Sequence, residues 1–499
     1  MAWYYSYIIG YFVIMFAIGY YYFRKVKTSD SYLIAGWNMG YWKITGTTIS
    51  TWCGAAAFIG WMGMGFSKGL SGYFMFALPG IIASLMLVIF FSRPLRRKKL
   101  YTLADLFGRR FGRKASLFPS FFSAFVYSVP ATAIQIIGMS TILTVVLGLE
   151  FNTAIFVSFA LILGFTILGG LEAAIVTDAL QSILLIAGIM VLGFTALSYA
   201  GGLEHALLNT PIEFLAPLPE GKTMEVVTFA LTVAPFYLVW QCTWQRIFAS
   251  ESEDVAIKAG VSGFSIVMLI SFFPYCIGVL ARQFVPLDTS ADLVFSYVTM
   301  QLLHPAIGGL VIVGLLAALM TSADSYILQG SSNLAHDLYG NFINRQANEK
   351  QKMASARLSV VIISVLGLGV TFLMTDIISA YQWALRISAT TLIFPFFAVM
   401  FWKHATSKGC ISSMASALSV TALWPLLSTG IDPAYPGFLT SLAVLVVISK
   451  LTRHSPSEDV AAYYWDGAES HAENALPNAA KTNIALASKA LSDAGSPGP

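Results

Sequence analysis

Between Gly314 and Asn333 a strongly apolar stretch is interrupted by Thr321, Ser322, Asp324 and Ser325. Wound as a helix at about 100° per residue, Ala318, Thr321, Ser322 and Ser325 share one face, and Asp324 lies on its flank beside Thr321. A hard cation stripped of water needs several oxygen ligands. Two hydroxyls, an open helix carbonyl and carbonyls from an unwound neighbour supply such a set for sodium. The alternative is that the hydroxyls bond back to their own helix, as membrane Ser and Thr commonly do. A buried aspartate alongside weighs toward the cation.

Two further stretches offer the unwound neighbour. Thr45 to Gly54, continuing to Gly60, Gly63 and Gly65, mixes glycine with β-branched hydroxyl residues, which makes a continuous helix less secure. Pro235 to Arg246 holds Pro235, Trp240, Gln241, Thr243 and Trp244, and a proline removes a backbone donor and frees a carbonyl. Interrupted hydrophobic segments in corresponding positions of two halves are the sequence mark of a secondary-transporter site. Close helix packing through small residues is the plainer explanation. These are the second and seventh apolar segments, and their separation by five favours transport.

The elements that must carry these groups follow from composition. Of 499 residues, 57% are hydrophobic and 11% charged, with a mean hydropathy of +0.72. A soluble chain carries roughly 25% charge, so the solvent is a bilayer, which excludes a soluble enzyme, a nucleic-acid binder and a disordered chain. Charges are separated by runs close to the ~20 residues of a membrane crossing. Thirteen such segments occur, among them 44–67, 151–171, 179–203 and 377–402, the last broken only by Arg386. The expectation is an all-α polytopic protein of the cell membrane, with one transport-sized unit over residues 1–452. A disordered or weakly helical cytoplasmic tail is expected over 453–499. Met1 to Ser6 lacks positive charge, and Arg24, Lys25 and Lys27 follow the first apolar run, so no cleavable signal is expected.

With the N-terminus outside and the C-terminus inside, 24 of the 29 Lys and Arg residues fall on the cytoplasmic side, nine of them between Arg93 and Lys114; the positive-inside rule selects that orientation. The excess of positive charge outside the tail suits anionic lipid rather than nucleic acid. Cys53, Cys242, Cys276 and Cys410 show neither paired spacing nor a metal motif. The six histidines form no ligand pattern, and nucleophile and phosphate-loop motifs are absent. No catalysis and no cofactor beyond a coupling ion are expected. A transporter-like sensor is the competing class, needing a separate signalling partner.

In this order the sequence resembles the sodium:solute symporter family over about residues 5–450. The marks are Phe58-Ile59-Gly60, Tyr101 to Leu106, Gly169-Gly170-Leu171-Glu172, Thr177-Asp178 to Gln181, Gln245-Arg246, and Ala317 to Ser325. The resemblance implies a LeuT-like inverted-repeat (5+5) fold of about 13 helices, a monomer, and sodium-driven import of a small solute. It assigns a shared sodium site to the carbonyls of Ser50, Cys53 and Ala318 and the hydroxyls of Thr321 and Ser322. A second sodium site, found in some members, would join Asp178, Thr321, Asp324 and Ser325.

Thr51-Trp52, Trp240-Gln241 and Met320 to Ser325 are most similar to the high-affinity choline transporter branch. Trp52 and Trp240 would then cradle a quaternary ammonium or zwitterion by cation–π contact, with Gln241 beside them. Tyr127 lies in the stretch where that branch places a further tryptophan. Ala57 stands where sugar-type members carry glutamine, which disfavours a sugar. Arg386 either pairs with Asp376 or with an acid across the bundle, or grips a substrate carboxylate, since a lone buried guanidinium is costly. Small carboxylates and amino acids are the alternative substrates.

Overall fold

The computed structural model describes residues 2–54, 59–373 and 377–452, with side chains of 377–381 excluded. The expected tail therefore lies outside the described residues, as does Asp376. In chain order the main helices are α1 (Ala2–Lys25), α2 (Tyr41–Trp52), α3 (Trp61–Lys68), α4 (Leu78–Arg97) and α5 (Leu103–Phe111). Next come α6 (Val129–Leu147), α7 (Phe151–Tyr199), α8 (Thr223–Val233), α9 (Gln241–Ala249) and α10 (Glu253–Ala281). Then follow α11 (Pro305–Ser332), α12 (Glu349–Thr371), α13 (Ile377–Phe401), α14 (Ser407–Leu423) and α15 (Ala434–Leu451). Among the described residues no strand forms beyond an isolated bridge between Met39 and Ser250, as expected where backbone groups must be satisfied within each segment.

Eleven stretches are long and apolar enough to cross a membrane, against thirteen expected from charge spacing, and the difference has two physical sources. Segment 44–67 is the broken pair α2–α3, neither half long enough alone. Segments 151–171 and 179–203 meet in one helical run of 49 residues, Phe151–Tyr199. Drawn straight, that run would measure about 74 Å, more than twice an apolar core of about 30 Å. It does not run straight. Phe165 packs against Gly19 and Glu172 pairs with Lys25 at 2.8 Å, yet Gln181 is back at Tyr11. The chain turns at Gly170, whose φ of 60° and ψ of −160° is a conformation open essentially to glycine alone.

The loops carry their own start signals. Thr102, Ser252, Asn348 and Thr406 each accept a backbone N–H at the first turn of α5, α10, α12 and α14, a cap of about 1 kcal/mol apiece. Two arginines of the basic 93–114 segment bind open carbonyls. The buried Arg110 guanidinium donates to the carbonyls of Ala398, Val399 and Trp402 at the end of α13. Arg96 donates to Ser250 O, just past the end of α9, and to Trp37 O, which ends the short helical turn Ala35–Trp37. Both meet carbonyls that a helix terminus leaves open. At the centre of the bundle, α11 packs on α7, α6 and α1, while α2 packs on α7 and α10.

Gly170→Ala adds a Cβ that would lie 2.6 Å from the Tyr32 ring and carbonyl, besides straining φ. It should lower thermal stability in detergent by about 1–3 kcal/mol, whereas Gly10→Ala, with open space around it, should not. A melting curve of the two variants checks this.

Candidate functional site

The two breaks read from the sequence are present. Helix α2 stops at Trp52, and Cys53 leaves helical geometry at φ −100° and ψ 47°. The second apolar break falls at Trp240, φ −72° and ψ 108°, between the short Phe236–Val239 turn and α9. Both tryptophans therefore stand at the interruptions rather than in an interfacial belt.

Where α2 ends, carbonyls of its last turn lose their helical partners, and α11 meets them with hydroxyls. Thr321 Oγ1 lies 3.2 Å from Ser50 O and 3.0 Å from Ala318 O, and Ser322 Oγ lies 3.2 Å from Thr51 O. The Cys53 N–H turns back to Ile49 O and Ser50 O at 3.2 Å. Ser50, Cys53, Ala318, Thr321 and Ser322 are all buried. Gly54 permits the approach, because a Cβ there would collide with Ser322 Oγ. The result is a compact set of neutral oxygens, the donor chemistry a hard monovalent cation requires once its water is removed. Each hydroxyl now donates to a carbonyl; a cation at their centre would take both as ligands.

Of the four residues assigned to a second sodium, Thr321 and Ser325 are bonded to each other and Ser325 and Asp178 meet at one arginine, whereas Asp324 has a different partner. Asp178 Oδ2 accepts from Thr47 Oγ1 at 2.5 Å and faces the Arg246 guanidinium at 3.6 Å. That guanidinium also donates to Ser325 Oγ at 2.5 Å and Thr51 Oγ1 at 2.9 Å. Asp324 turns the other way, against the Thr166 hydroxyl of α7. Arg246, in the sequence only a family mark and the end of the second interrupted stretch, is thus a central residue. The signal was there: an arginine six residues past a break, at the end of an apolar segment, must find a carboxylate.

Above the cation set, aromatic rings close together. Trp52 stacks on Tyr237 with centroids 4.6 Å apart and meets Trp240 edge-on at 6.0 Å. Tyr127 packs on Phe236 at 4.7 Å, and on Tyr326, which also touches Trp240. Among the described residues the indole N–H groups of Trp52 and Trp240 are buried with no acceptor. Gln241, expected at the substrate, is committed elsewhere. Its amide oxygen accepts from Ser123 Oγ at 3.2 Å and its nitrogen donates to Gln329 O at 3.2 Å. Arg386 pairs with Asp432, in the loop before α15, at 3.1 Å; the other partner expected for it, Asp376, lies outside the described residues.

Away from the breaks, His336 Nε2 lies 3.1 Å from Asp105 Oδ1 and its ring stacks on Tyr101 with centroids 4.0 Å apart. Asp337 accepts from Thr102 and Ser120. These contacts tie α5 to the segment following α11. Burial works against the Asp105 charge, but His336, the Tyr101 N–H and Arg109 outweigh it and hold its carboxyl below the usual range.

Membrane-crossing helices that break around neutral oxygen ligands define an ion-coupled transporter. The chain belongs to the sodium:solute symporter family, whose model matches residues 32–416. It is 26% identical to the osmoregulated proline transporter OpuE of Bacillus subtilis, over 89% of this chain and 94% of that protein. It is also 26% identical to the sodium/pantothenate symporter of Escherichia coli, over 91% and 97%. In fold it matches a sodium-coupled sialic acid symporter in its outward-open state, with a TM-score of 0.79, 17% identity and coverage of 91% and 99%. It also matches the nucleobase-cation-symport transporter Mhp1, with a TM-score of 0.58, 15% identity and coverage of 87% and 97%. The protein is a multi-pass membrane protein and its relatives are transporters rather than enzymes. The resemblance to the choline branch gains no support from these proline and pantothenate transporters.

Gly54→Ala should weaken sodium binding at least tenfold, about 1.4 kcal/mol, by driving Ser322 from the α2 carbonyls, and Ser322→Ala should do the same. The sodium dependence of the melting temperature reads both; an unchanged midpoint in either variant contradicts the ligand set.

Proposed function

We propose that this protein imports a small carboxylate-bearing solute, of the size of an amino or imino acid or of pantothenate, together with sodium bound at Ser50, Cys53, Ala318, Thr321 and Ser322. The observation that carries the substrate class is the pair of buried indole N–H groups at Trp52 and Trp240. Both belong to the ring cluster at the breaks, and Trp52 adjoins the sodium ligands. A carboxylate offers such donors charge-assisted hydrogen bonds, and the rings receive the apolar body. The tryptophan faces favour a second reading, a betaine-like zwitterion, whose ammonium would add cation–π contact. Tyr127 lines the same cluster, whereas Gln241 and Arg386 serve structural contacts in this reading.

Thirteen crossings result when α2–α3 counts as one broken span and α7 as two that meet at Gly170. With the N-terminus outside, the C-terminus is then cytoplasmic, in agreement with the Lys and Arg distribution. The two breaks occupy the second and seventh crossings, the spacing of a 5+5 inverted repeat, and a single monomeric unit over 1–452 contains the whole pathway. No cofactor is required: each charge crossing 100 mV releases about 2.3 kcal/mol, enough for roughly fifty-fold accumulation per sodium at about 1.4 kcal/mol per tenfold.

Uptake of labelled proline, pantothenate, glycine betaine and choline into proteoliposomes tests this reading. A carboxylate solute should accumulate only with an inward sodium gradient, and Thr321→Ala should reduce the rate at least tenfold. Trp240→Phe keeps a ring and removes the donor, so KM should rise about tenfold, in line with ~1.5 kcal/mol for a hydrogen bond to a charged group. Equal uptake without sodium, or transport of choline alone with Trp240→Phe unaffected, overturns it.

A further inference from the structure

Asp105 on α5 and His336, which follows α11, stand 231 residues apart in the chain, so no motif joins them. In the fold His336 Nε2 lies 3.1 Å from Asp105 Oδ1. With Asp337 they form a set of one imidazole and two carboxylates, one ligand atom of each within 4.8 Å of the others. Two ligands about 2.0–2.2 Å from a tetrahedral metal stand about 3.3–3.6 Å apart. The first pair is therefore close to metal-ligand spacing already, and Asp337 has to close by at most about 1.5 Å.

The surrounding groups hold the set in place. The His336 ring is stacked on Tyr101, whose hydroxyl donates to Asp30 at 2.5 Å. Asp105 Oδ2 accepts the Tyr101 N–H at 3.0 Å, which leaves Oδ1 to His336. Asp337 Oδ2 accepts from Thr102 Oγ1 at 3.0 Å and from Ser120 Oγ at 2.9 Å. Partners of this kind, behind carboxylate and imidazole ligands, orient them for a metal. Access is one-sided: Asp337 is buried, whereas the His336 side chain is 25% exposed, so an ion and its water can enter from the histidine side.

The charges call for a cation. As ionised groups, two carboxylates exceed the one imidazolium that could meet them, and among the described residues Asp337 forms no ion pair. Arg109, the next cation along α5, donates to Lys98 O at 2.8 Å. A buried carboxylate without compensation is costly; a divalent ion balances both, with the imidazole neutral. A nitrogen among the oxygens selects a first-row transition metal over magnesium or calcium, which take oxygen ligands.

We propose that Asp105, His336 and Asp337 bind a divalent transition-metal ion such as zinc, with water completing the coordination, and that the ion clamps α5 to the segment after α11. The metal takes the place of the hydrogen that His336 Nε2 shares with Asp105, and that proton leaves to solvent. The Leu103 N–H of α5 also reaches the side chain of Gln241, beside the second break, so the clamp bears on a broken segment and slows the transport cycle. That consequence rests on the symport reading, whereas binding is measured on the protein without solute, so the two fail separately.

Zinc titrated by calorimetry into the full chain in lipid nanodiscs tests it. About one equivalent should bind, release a proton and slow hydrogen exchange in α5. His336→Gln, which keeps a donor to Asp105, and Asp337→Asn should each weaken binding at least tenfold, while His404→Gln, outside the set, should leave it unchanged. X-ray absorption of the zinc-loaded wild type needs no variant and should show one imidazole among oxygen ligands, with no sulfur. Absence of saturable binding, a sulfur ligand, binding unaffected by both substitutions in the set, or unchanged exchange in α5 overturns the proposal.

Discussion

In a bilayer core a peptide group without a partner costs several kcal/mol, so a helix can stop there only where something else takes its carbonyls. Helix α2 stops at Trp52, inside the bundle, and the hydroxyls of Thr321 and Ser322 on α11 donate to the carbonyls of Ser50 and Thr51. That contact is both a structural necessity and a functional opportunity. The oxygens that mend the break are neutral, convergent and dry, so a sodium ion can take over the same role. Gly54 is part of the bargain, since any side chain there would hold α2 and α11 apart.

Charge inside the bundle follows the same rule of mandatory partners. Arg246 joins α9 to α2, α7 and α11 through Thr47, Thr51, Asp178 and Ser325, so the segment after the second break is fastened to the first. Movement of either broken helix must exchange these bonds for others, which makes the cluster a natural point of coupling between the two breaks. Arg110 and Arg96 serve more passive ends, closing helix termini. The Asp105–His336 contact adds a further fastening, between α5 and the segment after α11.

The aromatic cluster joins the two breaks. Trp52 belongs to the last turn of α2, one residue before the break that α11 meets with its hydroxyls, and it stacks on Tyr237 from the other broken segment. Parting these rings would shift both breaks together. Arg386, held by Asp432 at 3.1 Å, is occupied by its own acid, so the solute reading rests on the indole donors.

Composition and charge spacing alone determined a helical membrane protein, its approximate crossings and the two interruptions, because the cost of burying charge and of breaking helices is local and leaves its mark in every segment. The facing hydroxyls of Thr321 and Ser322 were legible for the same reason, since helical periodicity puts them on one face. Only the tertiary structure decided which partner each buried charge takes. Asp178 and Asp324 both read as ligands for one ion, yet one faces Arg246 and the other Thr166, and Gln241 beside Trp240 proved to be held by Ser123 and Gln329. The turn at Gly170, hidden within a continuous helical run, likewise appears only when α1 is packed alongside it. Such pairings depend on distances between segments tens to more than a hundred residues apart, and the sequence order of residues does not encode which of several equally suitable groups will lie within reach.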